Sequence, residues 1–196
     1  LANGNTLYCF GDNDSPDDAV VKEVDAGGSL VWSWYATNEY AIAPFLPPSN
    51  VYRQGWTHLN AVERLPNGNT LISPRNFNLT IEVDPGGSTV WSINWTNIYP
   101  GPFPLGYDPH EPEMLSNSNL LVGLQREAFY DVVEIDRASN IVWQYQREGL
   151  RATRDTDRLP NGNTLVAENG FIREFDRHGN EVWRKTITWA VEVNRY

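Results

Sequence analysis

Carboxylates set close together are the side chains in this chain most plainly spaced for chemistry. Asp12, Asp14, Asp17 and Asp18 crowd the loop Gly11–Ala19, GDNDSPDDA. Oxygen ligands at that density can wrap Ca²⁺, which takes about six to eight of them. The loop lacks the central Gly and the final Glu of an EF-hand, so it reads first as a solvated acidic hairpin tip and second as a Ca²⁺ loop. A second acidic group, Glu63, Glu111, Glu113, Asp155 and Asp157, falls on strand-like segments together with His110 and forms another candidate cation site.

Aromatic side chains make the third constellation. Trp34, Tyr35, Tyr40, Phe45 and Trp56 lie in or beside one long connection, and Trp95, Tyr99, Phe103 and Tyr107 in another. Connections beyond about 12–15 residues are usually functional or disordered, and these are too aromatic for disorder. Such rings suit a protein partner, as interface anchors, or a sugar, as stacking platforms. They can also fold back and bury one another, as a small domain needs.

The elements that position these groups come from a repeated phrase. RLPNGNTLI at Arg64–Ile72 returns as RLPNGNTLV at Arg158–Val166, and the chain opens with LANGNTLY. Four copies of one unit follow, each with an Asn/Gly turn, then Glu-x-Asp, a polar turn, and Val-Trp. Glu-x-Asp occurs at Glu23–Asp25, Glu82–Asp84, Glu134–Asp136 and Glu174–Asp176, and Val-Trp at Val31–Trp32, Val90–Trp91, Val142–Trp143 and Val182–Trp183. The turns supply positive-φ positions for tight hairpins, so each unit predicts an antiparallel meander. A further strand precedes the phrase in copies two to four.

Four strands in roughly 45–50 residues match a propeller blade. The expectation is therefore an all-β, four-bladed β-propeller of four-stranded antiparallel blades in a single domain. Blade one spans 1–34 plus 189–196, blade two 57–95, blade three 108–146 and blade four 153–187. The tail WAVEVNRY, Trp189–Tyr196, is the strand missing from blade one, and would close the ring while removing an open sheet edge. The same strand entering a neighbour would instead build a filament, because that contact is heterologous.

The phrase, the Glu-x-Asp and the Val-Trp together resemble the repeats of arylsulfotransferase-like β-propellers over essentially the whole chain. That resemblance implies transfer of a sulfuryl group between phenols through a histidine nucleophile near a central channel. The family's histidine stands five residues before the Leu of the phrase, where this chain has Asn60, His110, Arg154 and, in the closing strand, Glu192. By that match His110 is the nucleophile and Arg154 holds sulfate oxygens. The nearby carboxylates work against an anionic substrate.

A net charge of −10 without a Lys/Arg cluster excludes a polyanion partner such as nucleic acid. Cys9 is the only cysteine, so no intrachain disulfide forms, and it reads as a small buried hydrophobe. No apolar run is long enough to cross a membrane as a helix. Sequons at Asn78 and Asn94, with a Trp/Tyr-rich and Met-poor composition, point to a secreted glycoprotein. The expectation for function is a non-catalytic, extracellular propeller that self-associates into an oligomer or fibre, cation-assisted. The alternatives are an arylsulfotransferase-like enzyme and a carbohydrate-binding module.

Overall fold

The computed structural model describes residues 1–11, 14–18, 20–40, 55–99, 107–126, 129–148, 153–190 and 192–193. Its strands are β1 (Thr6–Cys9), β2 (Val21–Val24), β3 (Leu30–Trp34), β4 (Leu59–Arg64), β5 (Thr70–Pro74), β6 (Leu79–Val83) and β7 (Thr89–Asn94), followed by β8 (His110–Met114), β9 (Leu120–Arg126), β10 (Phe129–Ile135) and β11 (Ile141–Glu148), then β12 (Thr153–Arg158), β13 (Thr164–Glu168), β14 (Phe171–Phe175) and β15 (Glu181–Thr186). Each repeat folds into its own antiparallel sheet with neighbouring strands in chain order: β1–β3, β4–β7, β8–β11 and β12–β15. The first two sheets belong to one compact unit, Leu1–Trp95, and the last two to another, Thr96–Tyr196.

The repeated residues set the register. In every sheet the Glu of Glu-x-Asp pairs with the Trp of Val-Trp: Glu23 with Trp32, Glu82 with Trp91, Glu134 with Trp143 and Glu174 with Trp183. The Asp two residues later closes the hairpin. Asp25 Oδ1 accepts the backbone N–H groups of Gly27 and Ser29, each at 2.8 Å, and Asp136 and Asp176 hold their turns in the same way. Such side-chain acceptors inside a turn stand in for backbone and make Asp preferred there. The Glu reaches the other turn. Its Oε1 accepts from the second Asn of the phrase in all four sheets, at 2.7 Å from Asn5, 2.6 Å from Asn69, and 2.7 Å from both Asn119 and Asn163.

The same residues fasten one sheet to the next within each unit. Arg64 Nη2 lies 2.7 Å from Glu23 Oε2 of the preceding sheet, and Arg158 Nη2 lies 2.8 Å from Glu134 Oε2. Each guanidinium also covers the indole of the preceding sheet, Arg64 over Trp32 at 4.9 Å and Arg158 over Trp143 at 5.1 Å. Those indoles donate forward into the next sheet's hairpin turn, Trp32 Nε1 to Pro85 O and Trp143 Nε1 to Arg177 O, each at 3.0 Å. The repeated phrase, where it begins with Arg64 or Arg158, is thus a joint between modules. Charge-assisted pairing and a cation–π contact act on the same Arg.

In the first unit Val21, Trp34, Trp56, Leu59, Ile72, Phe77 and Ile81 form a continuous buried core. In the second, Leu121, Val132, Val166 and Phe175 pack together, with Trp143 and Tyr145 against them. Gly123 on β9 faces β12 so closely that a Cβ there would meet Thr153 Cγ2 at 2.6 Å.

The opening sheet has three strands among the described residues. Of the tail expected to complete it, Trp189 is 60 % exposed and Val193 donates its N–H to Asp155 Oδ2 at 2.7 Å. Glu192 and Val193 lie outside any strand, and Val191 and 194–196 fall outside the described residues.

Candidate functional site

The leading strand of each four-stranded sheet carries an extra residue at one place. On β8, His110 pairs with Gly123 and Glu113 with Leu121, so three steps on β8 face two on β9. On β12, Thr153 pairs with Glu168 and Asp155 with Ala167, so two steps on β12 face one on β13 and Arg154 is the extra residue in the ladder. On β4, Leu59 pairs with Pro74 and Val62 with Ile72. A bulge breaks the in–out alternation and re-aims the side chains beside it. Here it falls at or next to the positions five residues before the phrase Leu: at Arg154 on β12, just after His110 on β8 and just after Leu59 on β4.

Backbone strain gathers around these strands. Asp108 has φ +42°, Glu111 φ +39° and His58 φ +46°. Gly, Asn, Asp and His enter that region more readily than other residues, so Glu111 is the strained one, and such positions cluster at functional sites.

His110 is 7 % exposed. Its Nδ1 lies 2.8 Å from the Asp108 carbonyl oxygen and its Nε2 lies 3.2 Å from Arg154 Nη1. A carbonyl only accepts and a guanidinium only donates, so Nδ1 carries the proton and Nε2 presents its lone pair. The histidine is held neutral in one tautomer with a cation in front of its basic nitrogen.

Carboxyls lie on the same two strands as this pair, at Glu111 and Glu113 on β8 and at Asp155 and Asp157 on β12. Burial pushes Glu111 up to about 7, with the negative charges of Asp155, Glu192 and Asp157 adding to the rise. Burial likewise raises Asp155 to about 6, against the hydrogen bond from the Val193 N–H and with help from Asp157 and Glu192. Asp157 is raised to about 6, first by burial and then by Glu113 and Glu192. Glu113 Oε2 accepts the backbone N–H of Arg158 at 2.9 Å, tying β8 to β12. Several carboxyls that change charge near neutral pH, beside a neutral histidine and an arginine, can store and pass protons.

A second histidine–arginine pair, which sequence reasoning did not anticipate, lies in the first unit. His58 Nε2 is 2.7 Å from Arg75 Nη1, and Arg75 is 9 % exposed. Neither residue sits at the phrase-defined position; only the left-handed backbone of His58 marks it.

Other expected site residues take different roles. Asp14 is buried and accepts from Thr57 N at 2.8 Å, Thr57 Oγ1 at 2.7 Å and His58 N at 3.2 Å, so its carboxylate is spent on the chain. Asp17 and Asp18 are exposed, and Asp12 lies outside the described residues. Among the described residues no three His, Cys, Asp or Glu side chains gather as a metal-holding group. His178 is in an exposed hairpin turn.

The aromatic residues are largely core instead of wall: Trp34, Trp56, Trp95 and Tyr107 are buried. Trp34 Nε1 donates to Gly87 O at 3.2 Å and Trp95 Nε1 to Thr80 Oγ1 at 3.1 Å, so each indole is tied inward through its polar edge. Tyr107 Oη donates to the Tyr99 carbonyl. Tyr40 and Tyr99 are half-buried and Tyr35 is exposed, while Phe45 and Phe103 lie outside the described residues. Asn94 is exposed, whereas Asn78 is half-buried in a left-handed turn beside fully buried Thr80. No described helix is long and apolar enough to cross a membrane.

No family model matches this chain, and no curated protein matches it in sequence. Solved structures do match it in fold. A protein of unknown function from Bacteroides caccae is 15 % identical, with a TM-score of 0.60 over 92 % of this chain and 57 % of that one. A streptogramin B lyase is 10 % identical, with a TM-score of 0.56 over 94 % of this chain and 55 % of that one. A catalytically inactive histidine-to-alanine variant of virginiamycin B lyase from Staphylococcus aureus, with quinupristin, is 10 % identical at a TM-score of 0.55, over 96 % and 58 %. The fold is all-β and propeller-like. The chain spans just over half the length of these structures.

Proposed function

We propose that the bulged strands β8 and β12 carry an acid–base site acting on an uncharged or cationic ligand. The observation that carries this reading is His110, locked as the Nδ1–H tautomer with Nε2 facing Arg154, beside Glu111 with a carboxyl poised near pH 7. In that reading the ligand displaces Arg154 from His110 Nε2, Nε2 then takes a proton from the substrate, protonated Glu111 returns one to the leaving group, and the displaced Arg154 steadies the charge that develops between them. The surrounding carboxylates disfavour an anionic sulfate ester, so sulfuryl transfer through His110 ranks behind proton-transfer chemistry of the lyase type. One fold neighbour is a lyase variant made catalytically inactive by replacing one histidine with alanine, which supports the reaction class as an analogy of fold only.

The test is turnover by the purified chain of three probes: quinupristin, an aryl sulfate with a phenol acceptor, and a neutral oligosaccharide, with products read by mass spectrometry. Conversion of quinupristin or the oligosaccharide is expected, with kcat lowered about 10²–10⁴-fold by His110→Ala. Conversion of the aryl sulfate alone transfers the role to an arylsulfotransferase-like reaction, and binding of the oligosaccharide without conversion makes it a carbohydrate-binding module.

A second reading is a secreted, self-associating subunit. The four modules then act as propeller blades whose first sheet is completed by the strand Trp189–Tyr196, with cations such as Ca²⁺ bridging acidic faces. The outer strands favour it: Val31, Val90, Val142 and Val182 are each about half exposed, at 50 %, 53 %, 51 % and 53 %. Sedimentation at rising concentration, with and without Ca²⁺, tests it directly.

A further inference from the structure

Carboxyls outnumber cations on the two bulged strands. β8 and β12 together carry Glu111, Glu113, Asp155 and Asp157 against Arg154 and Arg158, and Arg158 pairs with Glu134 on β10. Glu192 adds a further negative charge that Glu111, Asp155 and Asp157 all feel. Charged groups on the strands packed against these turn elsewhere: Glu168 on β13 meets Tyr130 and Arg173, and Asp131 on β10 accepts from Gln144. Burial and mutual repulsion leave the cluster partly protonated near neutral pH, with Glu111 titrating at about 7 and Asp155 and Asp157 at about 6. Beside it, the buried and neutral His110 receives a planar N–H cation on Nε2, the guanidinium of Arg154 at 3.2 Å.

We infer that the ligand of this site bears a guanidinium- or amidinium-type cation, which takes the place of the Arg154 guanidinium on His110 Nε2. This deepens the acid–base reading above and rests on it, narrowing the ligand from uncharged or cationic to cationic. Charge decides between the classes. An anion adds repulsion to a cluster that already holds protons for want of positive charge. An uncharged donor satisfies Nε2 but leaves the carboxyls as they were, whereas a cation with N–H donors satisfies Nε2 and replaces those protons. The five carboxyls named above still outnumber the cations when the displaced Arg154 and the ligand are both present. A metal ion needs several ligands converging on one point, and among the described residues no three His, Cys, Asp or Glu side chains gather that way. A planar organic cation needs one acceptor lone pair and carboxylates within reach of its charge. Because its charge displaces protons from Glu111, Asp155 and Asp157, it binds more tightly as pH rises through the range in which they titrate.

The experiment uses the whole chain and three probes of matched shape: benzamidine, the neutral benzamide and the anionic benzoate, measured by calorimetry near pH 7 on the native chain and on Arg154→Ala. Benzamidine is expected to bind Arg154→Ala about tenfold or more tightly than either other probe, the effect of one charge-assisted hydrogen bond. It should bind the native chain more weakly, because the native guanidinium competes for Nε2. Adding His110→Ala to Arg154→Ala should abolish the preference; a preference that survives places the cation away from Nε2 and sinks the inference. Binding should release protons at about pH 6.5 and almost none at about pH 9, read from heats in two buffers of different ionisation enthalpy. Circular dichroism checks that Arg154→Ala folds. If it does not, proton release on benzamidine binding to the native chain decides alone, and its absence overturns the inference. Benzamide bound as tightly as benzamidine, or benzoate more tightly, overturns it while leaving an acid–base site for other ligands, and so does the failure of either chain to bind any probe. Benzamidine bound as expected, with no turnover of any substrate, keeps the cation site and removes the acid–base reading.

Discussion

Glu111 is held where its charge is least welcome, and this has a sign in pH. Its folded carboxyl titrates at about 7, above its ordinary value of 4.5, and Asp155 and Asp157 at about 6, above 3.8. Groups raised in the folded state favour folding below their unfolded pKa, and that stability is lost as pH rises through the folded value. The chain is therefore expected to be more stable at pH 5 than at pH 7.5. Partial exposure screens each contribution to about 1 kcal/mol. Thermal melts at the two pH values check the direction, and Glu111→Gln should flatten the difference; a Tm that climbs steadily from pH 5 to 7.5 contradicts the reading. Gly123 is the other residue with a sharp consequence. A methyl there meets Thr153, next to Arg154, so Gly123→Ala should cost about 1–3 kcal/mol through overpacking. Urea unfolding measures it, and an unchanged midpoint would mean that β9 and β12 can part without loss.

At the scale of elements, the joint predicts which arginines matter. Arg158 pairs with Glu134, caps Trp143 and donates to Gly162 O at 3.2 Å. Arg158→Ala should cost about 2–3 kcal/mol, because Glu134 then keeps a partly buried carboxylate facing its lost partner. Lys185→Ala, on exposed β15, should cost within about 0.5 kcal/mol. Denaturant unfolding of the two variants compares them directly, and equal losses would mean that the joint contributes nothing beyond packing. This joint explains why the fold was readable from the sequence: Leu, Glu-x-Asp and Val-Trp recur because the register, the hairpins and the sheet contacts all use them. The bulges were not readable. The residue that occupies the extra place is Arg154 in one sheet and falls beside Ala61 or Glu111 in others, so no residue type announces it. The position of His110 was visible through the phrase, but its Asp108 carbonyl partner and the strained Glu111 depend on backbone geometry. Trp34, Trp56 and Trp95 looked like a surface wall because composition does not say which way a long connection turns. Their buried indoles show that the rings lead inward.

Among the described residues each unit has buried core of its own, in Leu1–Trp95 and in Thr96–Tyr196. Each unit holds two sheets joined by one arginine, so stability in each should be a sum of sheet terms and one joint term, as in other repeat proteins. Loss of a joint then opens its own unit first. Arg64→Ala removes the contacts to Glu23 and Trp32 and should raise amide hydrogen exchange across β1–β7, with protection in β8–β15 retained. Arg158→Ala should do the reverse. Exchange measured by mass spectrometry on both variants reads the two patterns side by side. If either change loosens all the described strands equally, the chain unfolds as one cooperative body and the arginine joints act on the molecule as a whole instead of on their own pair of sheets.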